Sequence, residues 1–150
     1  MKIYLAGPLF TCAERTWNRR LASALNYEGH FVFLPQDEEP REKTAHAIFD
    51  MDVQGIEQSD AVVAIMDGAD PDSGTCWEVG YAYARNKFAP GRKKPILLVR
   101  TDFRKAGDAE MAPYNLMLTE SADSIRNLPF VSTEEVAIAI SVWAKEHEGL

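Results

Sequence analysis

The sequence predicts a doubly wound α/β fold: a five-stranded parallel sheet with helices on both faces, in three α/β/α layers. Three observations carry this. Short apolar runs recur along the 150 residues. Segments with a helical stripe separate them, and Gly or Pro punctuates the junctions. Strands alternating with helices make a parallel sheet the economical arrangement. For so short a chain the flavodoxin-like (Rossmann-like) order 2-1-3-4-5 follows, with the carboxyl ends of strands one and three side by side at the switch point.

Lys2–Ala6 is the first strand, broken by Gly7-Pro8. From Glu14 to Glu28, Trp17, Leu21, Ala24 and Leu25 form one helical stripe, and Gly29 is a natural stop. His30–Leu34 is the second strand, ended by Pro35. Gln36 to Lys43 is a polar loop. Thr44 can cap a helix running to about Gln58, with a stripe of Ala45, Ile48, Phe49, Val53 and Ile56. Asp52 falls within that stripe, where a carboxylate is costly unless it meets a partner or a cleft; the plain alternative is an Asp bending to solvent.

Ala61–Met66 reads as a buried central strand, followed by an acidic loop and a helix from about Thr75 to Lys87. Pro95–Val99 is the fourth strand. Arg100 to Met111 is a polar stretch too long for a simple connection. Pro113–Leu118 is short and apolar with Asn115 in its middle. Ser124-Ile-Arg begins a weak last strand. Ser132-Thr-Glu-Glu135 is a capping box opening a final helix with Val136, Ile140 and Trp143 on one face.

Length and composition fit one domain over residues 1–150. The balance is acidic, 23 Asp+Glu against 16 Lys+Arg, which argues against a nucleic-acid phosphate backbone as partner. Cys12 and Cys76 make no disulfide framework, so a reducing cytoplasm is expected. No apolar run has membrane-spanning length.

The stretch richest in chemistry is the loop after the central strand, with Asp67, Asp70, Asp72 and then Glu78 delivered to the carboxyl end of the sheet. Without a basic residue it makes a poor phosphate cradle. The spacing matches no calcium loop, and no metal or cofactor is expected. Ser73 or Cys76 as a nucleophile would need a base, and no histidine is near in sequence. Glu78 admits two readings. Thr75-Cys-Trp-Glu78 has capping-box spacing, so Glu78 could tie back to a helix start. Alternatively, the helix N-terminus would favour an ionised carboxylate able to attack a sugar's anomeric carbon, with a second carboxyl as proton donor. On strand order, Tyr4 or the residues after it would lie close to this loop.

Four stretches in order resemble the nucleoside 2-deoxyribosyltransferase family: Ile3-Tyr-Leu-Ala-Gly-Pro8; Asp52-Val-Gln-Gly-Ile56 with Ser59-Asp60; Asp72-Ser-Gly-Thr-Cys-Trp-Glu-Val-Gly-Tyr-Ala82; and Pro113-Tyr-Asn-Leu-Met-Leu118. They run from the first strand to the last. The resemblance implies the same fold and exchange of the nucleobase of 2′-deoxyribonucleosides, a salvage reaction, through a covalent deoxyribosyl-enzyme intermediate with net retention. Some hydrolysis would occur without an acceptor base.

By this resemblance Glu78 would be the nucleophile, Tyr4 would hold its carboxylate, and Asp52 would assist proton transfer at the base nitrogen. Asp72 and Asn115 would bind sugar hydroxyls. Gly7, Pro8 and Phe10 would line the base pocket, with Gln36 and Asp37 as further base contacts. Asn115 and Met117 would reach a neighbouring subunit's site, implying at least a dimer. The implied partners are nucleosides and free nucleobases.

The nearest alternative is a 2′-deoxynucleoside 5′-monophosphate N-glycosidase, which must hold a dianionic phosphate; its members carry small hydroxyl residues where Asp72 stands, and a carboxylate there repels phosphate. A cytokinin-activating phosphoribohydrolase shares Gly-Thr-x-x-Glu, but this chain has no Pro-Gly-Gly before it. A non-catalytic nucleoside-binding domain is the alternative from another class.

Overall fold

The computed structural model describes residues 1–104 and 114–148. Five strands, β1 (Lys2–Ala6), β2 (Phe31–Phe33), β3 (Ala61–Ile65), β4 (Ile96–Arg100) and β5 (Ser124–Asn127), pair in parallel in the order β2-β1-β3-β4-β5. This is the expected 2-1-3-4-5 order, and it sets β1 beside β3, with Tyr4 opposite Val62. The helices are α1 (Cys12–Tyr27), α2 (Ala45–Gln58), α3 (Ser73–Phe88), the single turn α4 (Leu116–Thr119) and α5 (Thr133–Glu146), with a 3-10 turn at Pro35–Asp37.

Strand alternation assigns side chains to the two faces. Ile3 and Leu5, Ala61, Val63 and Ile65, and Leu97 and Val99 face α1 and α5, where Leu21, Leu25, Val136, Ile140 and Trp143 complete one core. Tyr4, Ala6, Val62, Ala64, Met66, Ile96 and Leu98 face the other way, against Ile56 of α2 and Val79 and Ala82 of α3. β1, β3 and β4 are covered on both faces, which is why they read as unbroken apolar runs. β2 and β5 are the edge strands, and neither is buried.

Three sequence expectations change. α1 starts at Cys12, two residues early, because Thr11 and Glu14 form a capping box. α3 starts at Ser73, not Thr75, because the Asp72 side chain caps it. The α2 stripe is not a core face: of that helix only Gly55 and Ile56 are buried, while Ile48 and Phe49 stand exposed and Phe49 packs on Trp77 of α3. The capping box at Ser132 and Glu135 forms as expected. Of the polar stretch Arg100–Met111 and the apolar Pro113–Leu118, residues 105–113 lie outside the described residues.

Candidate active site

Three elements meet at the carboxyl ends of β1 and β3. β1 supplies Tyr4, fully buried among apolar neighbours, with its ring stacked on Phe33 of β2 at 5.4 Å. α3 supplies Glu78, and the Tyr4 hydroxyl donates to Glu78 Oε1 at 2.5 Å across 74 residues of chain. α2 supplies Asp52, whose charge acts on Glu78.

Because α3 begins at Ser73, Glu78 lies in its second turn and caps nothing. The N-cap is Asp72, whose Oδ2 accepts from Thr75 N–H at 2.9 Å and Thr75 Oγ1 at 3.2 Å. The capping-box reading of Glu78 is overturned. So is the expectation that a helix terminus favours its ionised form. Burial pushes the carboxyl up, the Tyr4 bond pulls it down and the charges of Asp52 and Asp72 push it up again, leaving it at about 7. Desolvation outweighs the one hydrogen bond.

Burial likewise raises Asp52 to about 6. Its Oδ1 is buried with no hydrogen-bond partner among the described residues. Asp52 as a residue is half-buried, so one oxygen is withdrawn from water without a partner, which is costly for a purely structural side chain. The Tyr4 hydroxyl is pushed far above the ordinary phenol range, first by burial and then by Glu78, so it stays a donor. The arrangement is therefore two carboxyls raised toward neutrality at the switch point, one gripped by a phenol. It can supply a nucleophile and an acid near neutrality.

The other expected residues are placed as follows. Gly7 sits against β3: a Cβ there would meet Ile65 Cβ at 3.3 Å. Pro8 C=O accepts from Asn18 Nδ2 at 2.9 Å, tying the loop to α1. Phe10 is 75% exposed. Gln36 exchanges bonds with α1, accepting from Asn18 Nδ2 at 3.2 Å and donating to Arg15 C=O at 2.9 Å, and Asp37 pairs with Arg19 at 2.7 Å. These two side chains thus hold the β2 loop against α1. Asn115 caps α4, its Oδ1 accepting from Met117 N–H at 2.9 Å, and Met117 is 81% exposed. Among the described residues no bond joins either to Tyr4, Asp52, Asp72 or Glu78.

Asp67, left without a role by the sequence, is structural. Its Oδ1 accepts from Thr101 N–H at 2.7 Å and Asp102 N–H at 3.0 Å, and its Oδ2 from Thr101 Oγ1 at 2.5 Å. Asp102 Oδ2 in turn accepts from Gly68 N–H at 3.2 Å, and buried Arg100 donates to Gly68 C=O at 2.7 Å. Asp70 is exposed. Sequence reasoning missed Phe33, Asn18 and Arg100. An Asn in the middle of an apolar helical stripe and an Arg ending a buried strand were the available signals; Phe33 gave none.

The fold is flavodoxin-like, with the candidate site at the β1–β3 switch point. The chain belongs to the nucleoside 2-deoxyribosyltransferase family, whose model matches residues 3–117. An uncharacterized protein of Ureaplasma parvum serovar 3 is 33% identical over 117 residues, 69% of this chain and 72% of that relative. The structure of a 2-deoxyribosyltransferase from Bacillus psychrosaccharolyticus superposes with a TM-score of 0.66 at 26% identity, covering 91% of this chain and 90% of that one. A deoxyribosyltransferase from Leishmania mexicana shares the fold with a TM-score of 0.69 at 24% identity, over 99% of both chains. Membership makes this chain a pentosyltransferase acting on nucleosides and bases.

Proposed function

We propose that the chain exchanges the nucleobase of 2′-deoxyribonucleosides through a covalent deoxyribosyl ester on Glu78, with net retention. The bond from Tyr4 to Glu78 Oε1 carries this reading. A glutamate serving only the fold has no need of a buried phenol, whereas a nucleophile must be aimed.

In the first half-reaction Glu78 attacks C1′ as the C1′–N bond breaks. The bonding pair goes to the base nitrogen, and Asp52 supplies the proton that makes the base a neutral leaving group. In the second, a new base attacks C1′, the ester pair returns to Glu78, and Asp52 takes the incoming proton. Two inversions give retention. Water in place of the base releases 2-deoxyribose, so slow hydrolysis accompanies exchange when no acceptor is present. A 2′-hydroxyl would disfavour the oxocarbenium-like transition state, so deoxyribosides are preferred.

In this reading Asp72, with Oδ2 committed to the cap, offers Oδ1 to a sugar hydroxyl. Gly7, Pro8 and Phe10 form the base pocket, and Gln36 and Asp37 border it. Asn115 and Met117 complete the site of a second subunit in a dimer or larger oligomer; the exposure of Leu116 and Met117 on α4 supports a docking role. The carboxylate of Asp72 disfavours the phosphate of a deoxynucleotide, which speaks against the N-glycosidase alternative.

The decisive experiment treats the protein with a 2-fluoro-2-deoxynucleoside and maps the adduct by mass spectrometry. A stable sugar ester on Glu78, together with base exchange between deoxyinosine and free adenine, is the expected result. Exchange surviving in Glu78→Ala refutes the mechanism.

A further inference from the structure

Asp52 and Glu78 stand on different helices, so their separation depends on how α2 is held against α3. α2 has little apolar anchorage, with only Gly55 and Ile56 buried. Polar and aromatic contacts along its seam with α3 do the rest. Ahead of Asp52, Phe49 packs on Trp77 with ring centroids 5.1 Å apart, and Trp77 stacks on Tyr81 at 5.3 Å. Beyond Asp52 stands Glu57, whose Oε1 accepts from Tyr81 Oη at 2.9 Å and Oε2 from Arg85 Nε at 3.0 Å. The Glu57 backbone C=O accepts from Lys94 Nζ at 2.8 Å, and the same ammonium also bonds Ser59 C=O. Lys94 is buried, and its backbone N–H and C=O both bond the side chain of Asn86 on α3, at 2.8 and 2.7 Å.

We propose that Glu57 is a positioning residue, clasping the end of α2 to α3 so that Asp52 is held at its working distance from Glu78. It touches no reacting atom. Glu57 alone joins α2 to α3 through its side chain and to Lys94 through its backbone, among the described residues. The contacts Phe49–Trp77–Tyr81–Glu57 bracket both carboxyls along the chain, Asp52 lying in sequence between Phe49 and Glu57 and Glu78 between Trp77 and Tyr81. The Glu57–Arg85 pair is half-buried, and a single ion pair at the rim of the fold adds only modestly to folding stability. A small displacement of a catalytic group, by contrast, is expensive in rate. Burial pushes the Glu57 carboxyl up, but the bonds from Arg85 and Tyr81 outweigh it and keep the group ionised.

The role rests on the proposed exchange reaction, so the test has one readout that needs no activity. Glu57→Ala, Glu57→Gln and Tyr81→Phe are compared with wild type. In Glu57→Ala, kcat for base exchange should fall about tenfold with KM changed less than about twofold. Glu57→Gln, which keeps an acceptor for Tyr81, should recover most of the loss, and Tyr81→Phe should fall between. In parallel, carbon-13 NMR follows the carboxyls of Asp52 and Glu78 from acid to neutral pH. The titrating or charged groups facing them are Tyr4 from β1 and Asp72 at the head of α3; those facing Glu57 are Tyr81, Arg85 and Lys94. In Glu57→Ala both carboxyls should titrate closer to ordinary values as α2 splays and water enters. A folded Glu57→Ala with wild-type kcat, or with the Asp52 and Glu78 titrations unmoved, overturns the clasp. If Glu78→Ala retains exchange, the transferase mechanism fails, and the NMR titration alone decides the role of Glu57.

Discussion

The ring of Phe33 occupies the space where a Cβ on Gly55 would stand, with Cε1 2.5 Å from that position. The same ring stacks on Tyr4, and Tyr4 grips Glu78. A missing side chain on α2 thus lets the helix approach a residue that braces Tyr4, the partner of Glu78. Gly55→Ala should push Phe33 aside, cost about 1–3 kcal/mol of stability through overpacking, and lower exchange further than the stability loss explains. Denaturant unfolding alongside kcat checks both parts; wild-type kcat would show the brace to be dispensable.

Glu78→Gln should abolish exchange and stabilise the fold at neutral pH. The carboxyl binds its proton more tightly folded, at about 7, than unfolded, at 4.5. Below both values there is no penalty; as pH rises through this window the folded state loses stability. A shift of this size corresponds to roughly 3 kcal/mol. Glutamine keeps an acceptor for Tyr4 and removes the charge. Melting curves at acid and neutral pH should show the variant's advantage growing with pH, and an advantage independent of pH would contradict the burial cost.

Asp52 and Glu78 should titrate as a pair, the active form carrying one proton between them. Exchange then rises as the first proton leaves and falls as the second does. Asp52→Asn should remove the alkaline limb, and it should lower the Glu78 midpoint by deleting a like charge. The slowing should be greatest for poor leaving bases. pH–rate profiles with two nucleosides of differing leaving group provide the check; an equal effect on both bases argues against the acid role.

Asp72→Ser should keep the cap, because serine serves that position as well as aspartate, whereas Asp72→Ala should cost about 1 kcal/mol. Removing the charge should also improve tolerance of a 5′-phosphate. Turnover of a deoxynucleotide by Asp72→Ser, set against wild type, reads the effect, and no gain would remove charge repulsion as the basis of selectivity.

β1, β3 and β4 were legible in the sequence because burial on both faces leaves continuous apolar runs, and strand order followed from chain length and alternation. The start of α3 was not, because Asp72 and Thr75 are both competent caps and Ser73-Gly74 has loop composition. The face of α2 departs from the expected core stripe because Phe49 is apolar for its contact with Trp77 of α3, not for the core, and Ile48 stands exposed. The meeting of Tyr4 and Glu78 was reachable only as a consequence of strand order and family resemblance. The contacts of Asp67 with Thr101 and of Phe33 with Gly55 leave no local trace in composition or period.

The stitch between Asp67 and the Thr101–Asp102 backbone bears on how this site would look to mutagenesis. Asp67 spends both oxygens on the end of β4, and Gly68 is pinned from the other side by Asp102 and Arg100. An acidic residue a few positions before the helix that carries Glu78 would score as essential in an activity screen, and its loss would be taken for the loss of a reactive group. The expected effect of its loss is mechanical instead, because the bonds that fix the loop to the end of β4 go with it.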